Sequence, residues 1–74
     1  MRSATIRRGQ LYALLSYGNG TAYDLRRLPP LVGSVFVQGD DAVQLNTYLD
    51  QLEMLYPELD TDALLRLLWD SVEN

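Results

Sequence analysis

No cysteine and no histidine occur among the 74 residues of this chain, and that double absence constrains its fold more than any motif does. Disulfides and nearly all transition-metal sites are unavailable to it. A chain this short buries a modest share of its surface, so the core alone leaves only a few kcal/mol of net stability. Association with a second subunit is the remaining way to add buried surface, and a homodimer is therefore expected. Hydrophobic residues make up 47% and charged residues 22%, which suits a folded domain and argues against disorder. The length allows one domain over residues 1–74.

The net charge of −4 hides an asymmetry. Residues 1–39 hold Arg2, Arg7, Arg8, Arg26 and Arg27 against Asp24, a net +4. Residues 40–74 hold nine carboxylates against Arg66, a net −8. Such a split predicts a basic and an acidic face, each able to steer a partner of opposite sign, or two halves that neutralise one another by packing. After Arg2, Arg7 and Arg8 no apolar segment with a small-residue cleavage site follows, and no run approaches the roughly 18 apolar residues of a membrane span. A cytoplasmic protein without membrane contact is expected.

Pro29-Pro30 divides the chain, because consecutive prolines forbid a continuing helix or central strand. Before it, Asn19-Gly20 is a hairpin signal, since both residues accept positive φ. Leu11–Tyr17 and Thr21–Leu28 would then be paired strands, with Tyr23, Leu25 and Arg27 on one face and Asp24 and Arg26 on the other. A competing pattern makes 9–17 a helix and starts another at Thr21, with Asp24 closing a loose capping box. Leu11–Gly18 followed by Ala22-Tyr23-Asp24-Leu25 also resembles the start of a winged-helix domain. The hairpin is the preferred alternative. After the prolines, Ser34–Gln38 is a short β-type run stopped by Gly39.

Two helices are expected beyond that. Asp40 suits an N-cap, and Asp41 a first turn. Ala42, Leu45, Leu49, Leu52 and Leu55 then recur at helical spacing until Pro57, giving a helix over about 41–55. Asp60 or Thr61 caps a second helix over about 61–72. Its polar side holds Asp62, Arg66 and Asp70 at i,i+4 spacing. Leu64, Leu65, Leu67, Leu68, Trp69 and Val72 fill an apolar arc wider than one core-facing stripe. Leu64, Leu67, Leu68, Trp69 and Val72 are accordingly expected at a dimer interface.

Catalysis is not expected. Without His, Cys or Lys the chain has no ordinary base, thiolate or Schiff-base amine near neutral pH. Asp40-Asp41 and Asp60-Thr61-Asp62 are helix starts before they are acid pairs or metal ligands, and the second lacks the glycine and glutamate of a calcium loop. Gly18-Asn19-Gly20 is too short to cradle a phosphate. No cofactor and no metal are expected. The N-terminal arginines interleave with Tyr12, Tyr17 and Tyr23, a combination that suits nucleic acid; a solvated basic surface with tyrosines in the core is preferred.

Two resemblances sharpen the functional expectation. From Ser34 onward the order strand, helix, turn, helix resembles ribbon-helix-helix repressors, which implies Ser34, Phe36 and Gln38 facing DNA bases while Val35 and Val37 face the core. The last 35 residues resemble small phage anti-CRISPR proteins of the DNA-mimic kind. Asp40-Asp41-Ala42, Tyr48, Asp50, Leu52, Arg66-Leu67-Leu68 and Ser71-Val72-Glu73 carry that likeness. It implies an inhibitor whose helix-borne carboxylates occupy a groove built for phosphates, with Asp41, Asp50, Glu53, Glu58, Asp62 and Asp70 as partner-binding residues.

The expected molecule is thus an α+β domain: a small antiparallel sheet from the N-terminal hairpin and the strand at 34–38, followed by two helices. Its expected work is non-enzymatic binding of a basic, nucleic-acid-binding protein surface, with a dimeric DNA-binding regulator as the alternative.

Overall fold

A computed structural model describes residues 3–18 and 21–73 of the chain. Four antiparallel strands come first: β1 (Ser3–Arg8), β2 (Tyr12–Tyr17), β3 (Ala22–Arg27) and β4 (Gly33–Gln38). Helices α1 (Asp40–Leu55) and α2 (Thr61–Glu73) follow. The strands form a meander in chain order, β1-β2-β3-β4, leaving β1 and β4 at the edges. This is the α+β architecture expected, with one strand more. Residues 9–28 form the β2–β3 hairpin rather than helices, although Asn19 and Gly20, the proposed turn, lie outside the described residues.

Side-chain alternation decides which face of the sheet the helices cover. Leu14 stands opposite Leu25, and Leu25 opposite Val35. The core joins Tyr12, Leu14, Tyr23 and Leu25 to Ala42, Leu45, Leu49 and Leu52 of α1 and to Leu64, Leu65, Leu68 and Trp69 of α2, with Val35 and Val37 packed against it. Leu14, Leu25, Leu65 and Leu68 are fully buried, each worth roughly 1.5–3 kcal/mol of transfer free energy. Tyr12 and Tyr23 thus serve the core.

β1 carries only a short sequence signal: Ser3-Ala4-Thr5-Ile6 alternates polar and apolar over four residues, and Arg7-Arg8 then breaks the alternation. Its pairing with β2 slips between Thr5 and Arg7, so that Thr5 opposes Leu15 and Arg7 opposes Leu14. A β-bulge of this kind changes which side chains face which way. It turns Arg7 to the helical side, along with Ile6, which packs on the core.

The start of α1 differs from expectation. Gly39, not Asp40, occupies the cap position, with φ 63° and ψ −133° and no side-chain cap hydrogen bond. That conformation is open to glycine and strained for other residues. The Gly39 carbonyl accepts from Ala42 and Val43, and Asp40 and Asp41 sit in the first turn, where the helix dipole favours acids. At α2 the expected cap is present: the Asp60 carboxylate accepts from the Ala63 N–H at 2.8 Å. The Pro29–Pro30 peptide, which is cis, lies in the β3–β4 connection.

Candidate binding surfaces

The fold converts the charge split along the chain into a split between layers. Arg7, Arg8, Arg26 and Arg27 lie on strands, whereas Asp40, Asp41, Asp50, Glu53, Asp62 and Asp70 lie on helices. Asp40, Asp41, Asp50, Glu58, Asp60 and Asp70 are exposed. The helical layer therefore presents mostly negative charge, with Arg66 its one cation among the described residues.

Of the six carboxylates expected to bind a partner, Glu53 and Asp62 join the helices to the sheet. Glu53 accepts both Arg7 Nη2 contacts, at 3.0 and 3.1 Å, tying α1 to the bulged strand. Both side chains are over a third exposed, so the pair orients the layers more than it stabilises them. Asp62 is the more consequential case. Its Oδ2 accepts from the Gln10 N–H at 3.0 Å, and its Oδ1 from Leu11 at 2.9 Å and Tyr12 at 3.2 Å. These are the amides of the β1–β2 turn, which no strand pairing satisfies. The Leu11 N–H most of all, with Gln10 and Tyr12, holds the Asp62 carboxyl below its ordinary value. Gly9 makes the approach possible: a Cβ there would overlap the Asp62 carboxylate.

Asp41, Asp50, Glu58 and Asp70 remain exposed, but no single groove gathers them. Asp41 borders a cleft of about 380 Å³ with Gln44, Tyr48 and Ser71, between α1 and the end of α2. Asp70 borders a separate depression with Leu11, Arg27, Leu31 and Arg66. Together they make a charged surface without a shaped site.

Placement of the expected dimer residues follows from the same packing. Leu64, Leu68 and Trp69 are buried within the chain, Val72 is half-buried, and Leu67 is 37% exposed. The sheet and α1 cover Leu64, Leu65, Leu68 and Trp69 of the wide apolar arc of α2, and Leu67 stays outside that core. Trp69 also supports the guanidinium of Arg27, 4.2 Å above its ring, and lies 6.4 Å from Tyr12.

The face of the sheet away from the helices holds Ser34, Phe36 and Gln38, which the ribbon-helix-helix resemblance had set opposite the core. Alternation places Leu15, Tyr17, Asp24, Arg26, Ser34, Phe36 and Gln38 there. Tyr17 and Phe36 belong to the strands flanking β3, and their rings meet edge to face at 5.9 Å. They bridge over β3, where Ala22 is small enough to pass beneath them. Under this arch Asp24 is 92% buried, its Oδ2 2.8 Å from Arg26 Nε and its Oδ1 without a hydrogen-bond partner. Phe36 stays 56% exposed. Another sequence signal exists: Tyr12-Ala13-Leu14-Leu15 is apolar at successive positions, which marks a strand with apolar side chains on both faces.

Among the described residues, no group of three or more His, Cys, Asp or Glu is placed to hold a metal ion, and no helix is long and apolar enough to cross a membrane. No family model matches the chain, and neither a curated protein nor a solved structure matches it at a significant level.

Proposed function

We propose that this chain is a non-enzymatic, cytoplasmic binding module that docks its acidic helical layer on a basic protein surface. In its sharpest form it is a phage-type inhibitor of the anti-CRISPR-like, DNA-mimic kind, blocking a surface that otherwise holds nucleic-acid phosphates. The observation that carries this is the segregation of charge by layer: four exposed carboxylates, Asp41, Asp50, Glu58 and Asp70, decorate a layer that holds a single arginine. An arrangement of that sign accelerates encounter with a basic partner and repels nucleic acid itself. Homodimerisation belongs to the proposal, but the enclosed α2 residues do not supply its surface.

The test uses Asp50 and Glu58, both exposed, in place of the two carboxylates that hold the sheet. The double variant Asp50→Arg, Glu58→Arg is expected to weaken capture of a basic partner from host lysate by about tenfold or more, with unchanged circular dichroism. Duplex DNA should compete with the unaltered protein for that partner. Retained capture by the double variant, or indifference to DNA, overturns the proposal. Glu53 is unsuitable for this purpose, because reversing it would break the pair with Arg7.

A second proposal, a ribbon-helix-helix-like regulator, is favoured by one observation. Ser34, Phe36 and Gln38 point away from the helices while Val35 and Val37 pack on the core side. It ranks lower because Asp60 and Asp62 stand at the start of α2, where such repressors hold a phosphate on free amides. Salt-sensitive binding to duplex DNA that disappears in Phe36→Ala would promote it.

A further inference from the structure

The two edges of the sheet are built differently. β1 carries a bulge and the adjacent charges Arg7 and Arg8, two devices that discourage another strand from pairing. β4 has neither. All six of its residues pair in unbroken register with β3, and no charged residue occurs from Leu28 to Gly39. Its sequence Gly-Ser-Val-Phe-Val-Gln contains no proline and has high β propensity at its centre. Val35 and Val37 remain only half-buried and Phe36 56% exposed, as befits an edge strand with no further strand beside it among the described residues.

We infer that the open edge of β4 pairs with β4 of a second copy of this chain, antiparallel about a two-fold axis at Phe36. Register selects this axis. With Phe36 opposite its own mate, Val35 faces the partner's Val37, and Ser34 faces the partner's Gln38. Directly opposed residues share a face of the sheet, so apolar meets apolar and polar meets polar in each of those rows. Moving the axis to Val35 would set Ser34 against the partner's Phe36 and Gly33 against the partner's Val37. Pairing about Phe36 covers the valines on the helical side. On the other side it joins the two Tyr17–Phe36 arches into one aromatic row. Two β1 edges could not pair this way without bringing arginines together. A neutral strand apolar on both faces matches its own copy better than it matches a charged peptide. The inference rests on the neutral edge of β4 and not on the exposed carboxylates, so it is argued independently of the acidic-surface proposal.

The cysteine-free chain allows a direct test. Directly opposed residues of an antiparallel pair have Cα atoms roughly 4.5–5.5 Å apart, within disulfide reach. Phe36→Cys is therefore expected to oxidise to a covalent dimer at least about tenfold faster than Thr5→Cys on exposed β1, since a paired site holds the thiols at high effective concentration. The unaltered chain should sediment as a concentration-dependent dimer, and Phe36→Lys as a monomer with unchanged circular dichroism. A monomeric unaltered chain at hundreds of micromolar overturns the inference. So does a dimer that persists in Phe36→Lys while the two cysteine variants cross-link at equal rates. Loss of lysate capture in the Asp50→Arg, Glu58→Arg variant without loss of the dimer would separate the two proposals.

Discussion

Replacing Trp69 by alanine is expected to remove about 3–5 kcal/mol of stability, the usual cost of emptying a buried tryptophan site. For a chain of this length the whole stability is about 4–11 kcal/mol, so the variant should sit near or below the folding threshold. Three losses coincide at this residue. The indole is 97% buried, meets Tyr12 at 6.4 Å, and carries the Arg27 guanidinium 4.2 Å from its centroid. Without the ring, Arg27 would lose its cation–π support, and a cavity would open between α2 and the β2–β3 part of the sheet. Urea unfolding followed by circular dichroism at 222 nm measures this, since the variant has no tryptophan to report by fluorescence. Trp69→Phe keeps an aromatic ring against Tyr12 and should lose less than about half as much. A Trp69→Ala midpoint close to that of the unaltered protein would show that α2 is held mainly by its leucines.

The second large effect concerns Gly9 and Asp62. Asp62→Ala removes the charged acceptor shared by the amides of Gln10, Leu11 and Tyr12; water can reach the first two, and the net loss is that of charge-assisted hydrogen bonds tying α2 to the sheet. Gly9→Ala acts on the same contact from the other side, because its Cβ would displace the carboxylate. Each variant is expected to lower the melting temperature by about 5–10 °C, and the double variant by little more than either alone, since both break one interaction. Additive losses would show that Gly9 matters for another reason.

The pH dependence carries the same signature. Hydrogen bonding holds the Asp62 carboxyl lower in the folded chain than in the unfolded one. Its contribution is therefore fully present above the ordinary carboxylate value of about 4 and is lost as pH falls below it towards the depressed folded value. Melting temperatures recorded from neutral to acid pH should fall less steeply in Asp62→Ala than in the unaltered chain. Parallel acid limbs would place the acid sensitivity in other carboxylates.

These two sites mark where local sequence patterns stop being informative. Both helices were legible to within a residue of their ends, because Ala42-Leu45-Leu49-Leu52 and the leucines of α2 repeat at helical spacing, and Pro57 and Asp60 punctuate them. The β2–β3 hairpin was the preferred of two open readings, on the Asn19-Gly20 signal, and alternation within it gave the facing of Tyr23, Leu25 and Arg27. The inward Val35 and Val37 were what the ribbon-helix-helix resemblance implied. In each case the deciding information lies within a few residues, where backbone geometry alone sets which side chains share a face.

What the tertiary structure decided involves residues far apart in the chain. β1 became a strand through its pairing with β2 and a bulge that its own composition does not announce. Arg7 meets Glu53 across 46 positions and Leu11 meets Asp62 across 51, so two carboxylates expected to bind a partner join the layers. Much of the apolar arc of α2, wide enough to suggest a partner, is buried because the sheet and α1 approach Leu64, Leu65, Leu68 and Trp69. Conversely, the neutrality of β4 was visible in sequence, but that β4 is an open edge was not. Strand order depends on which strands meet in space, and a run of valine and phenylalanine reads alike at the centre of a sheet and at its rim.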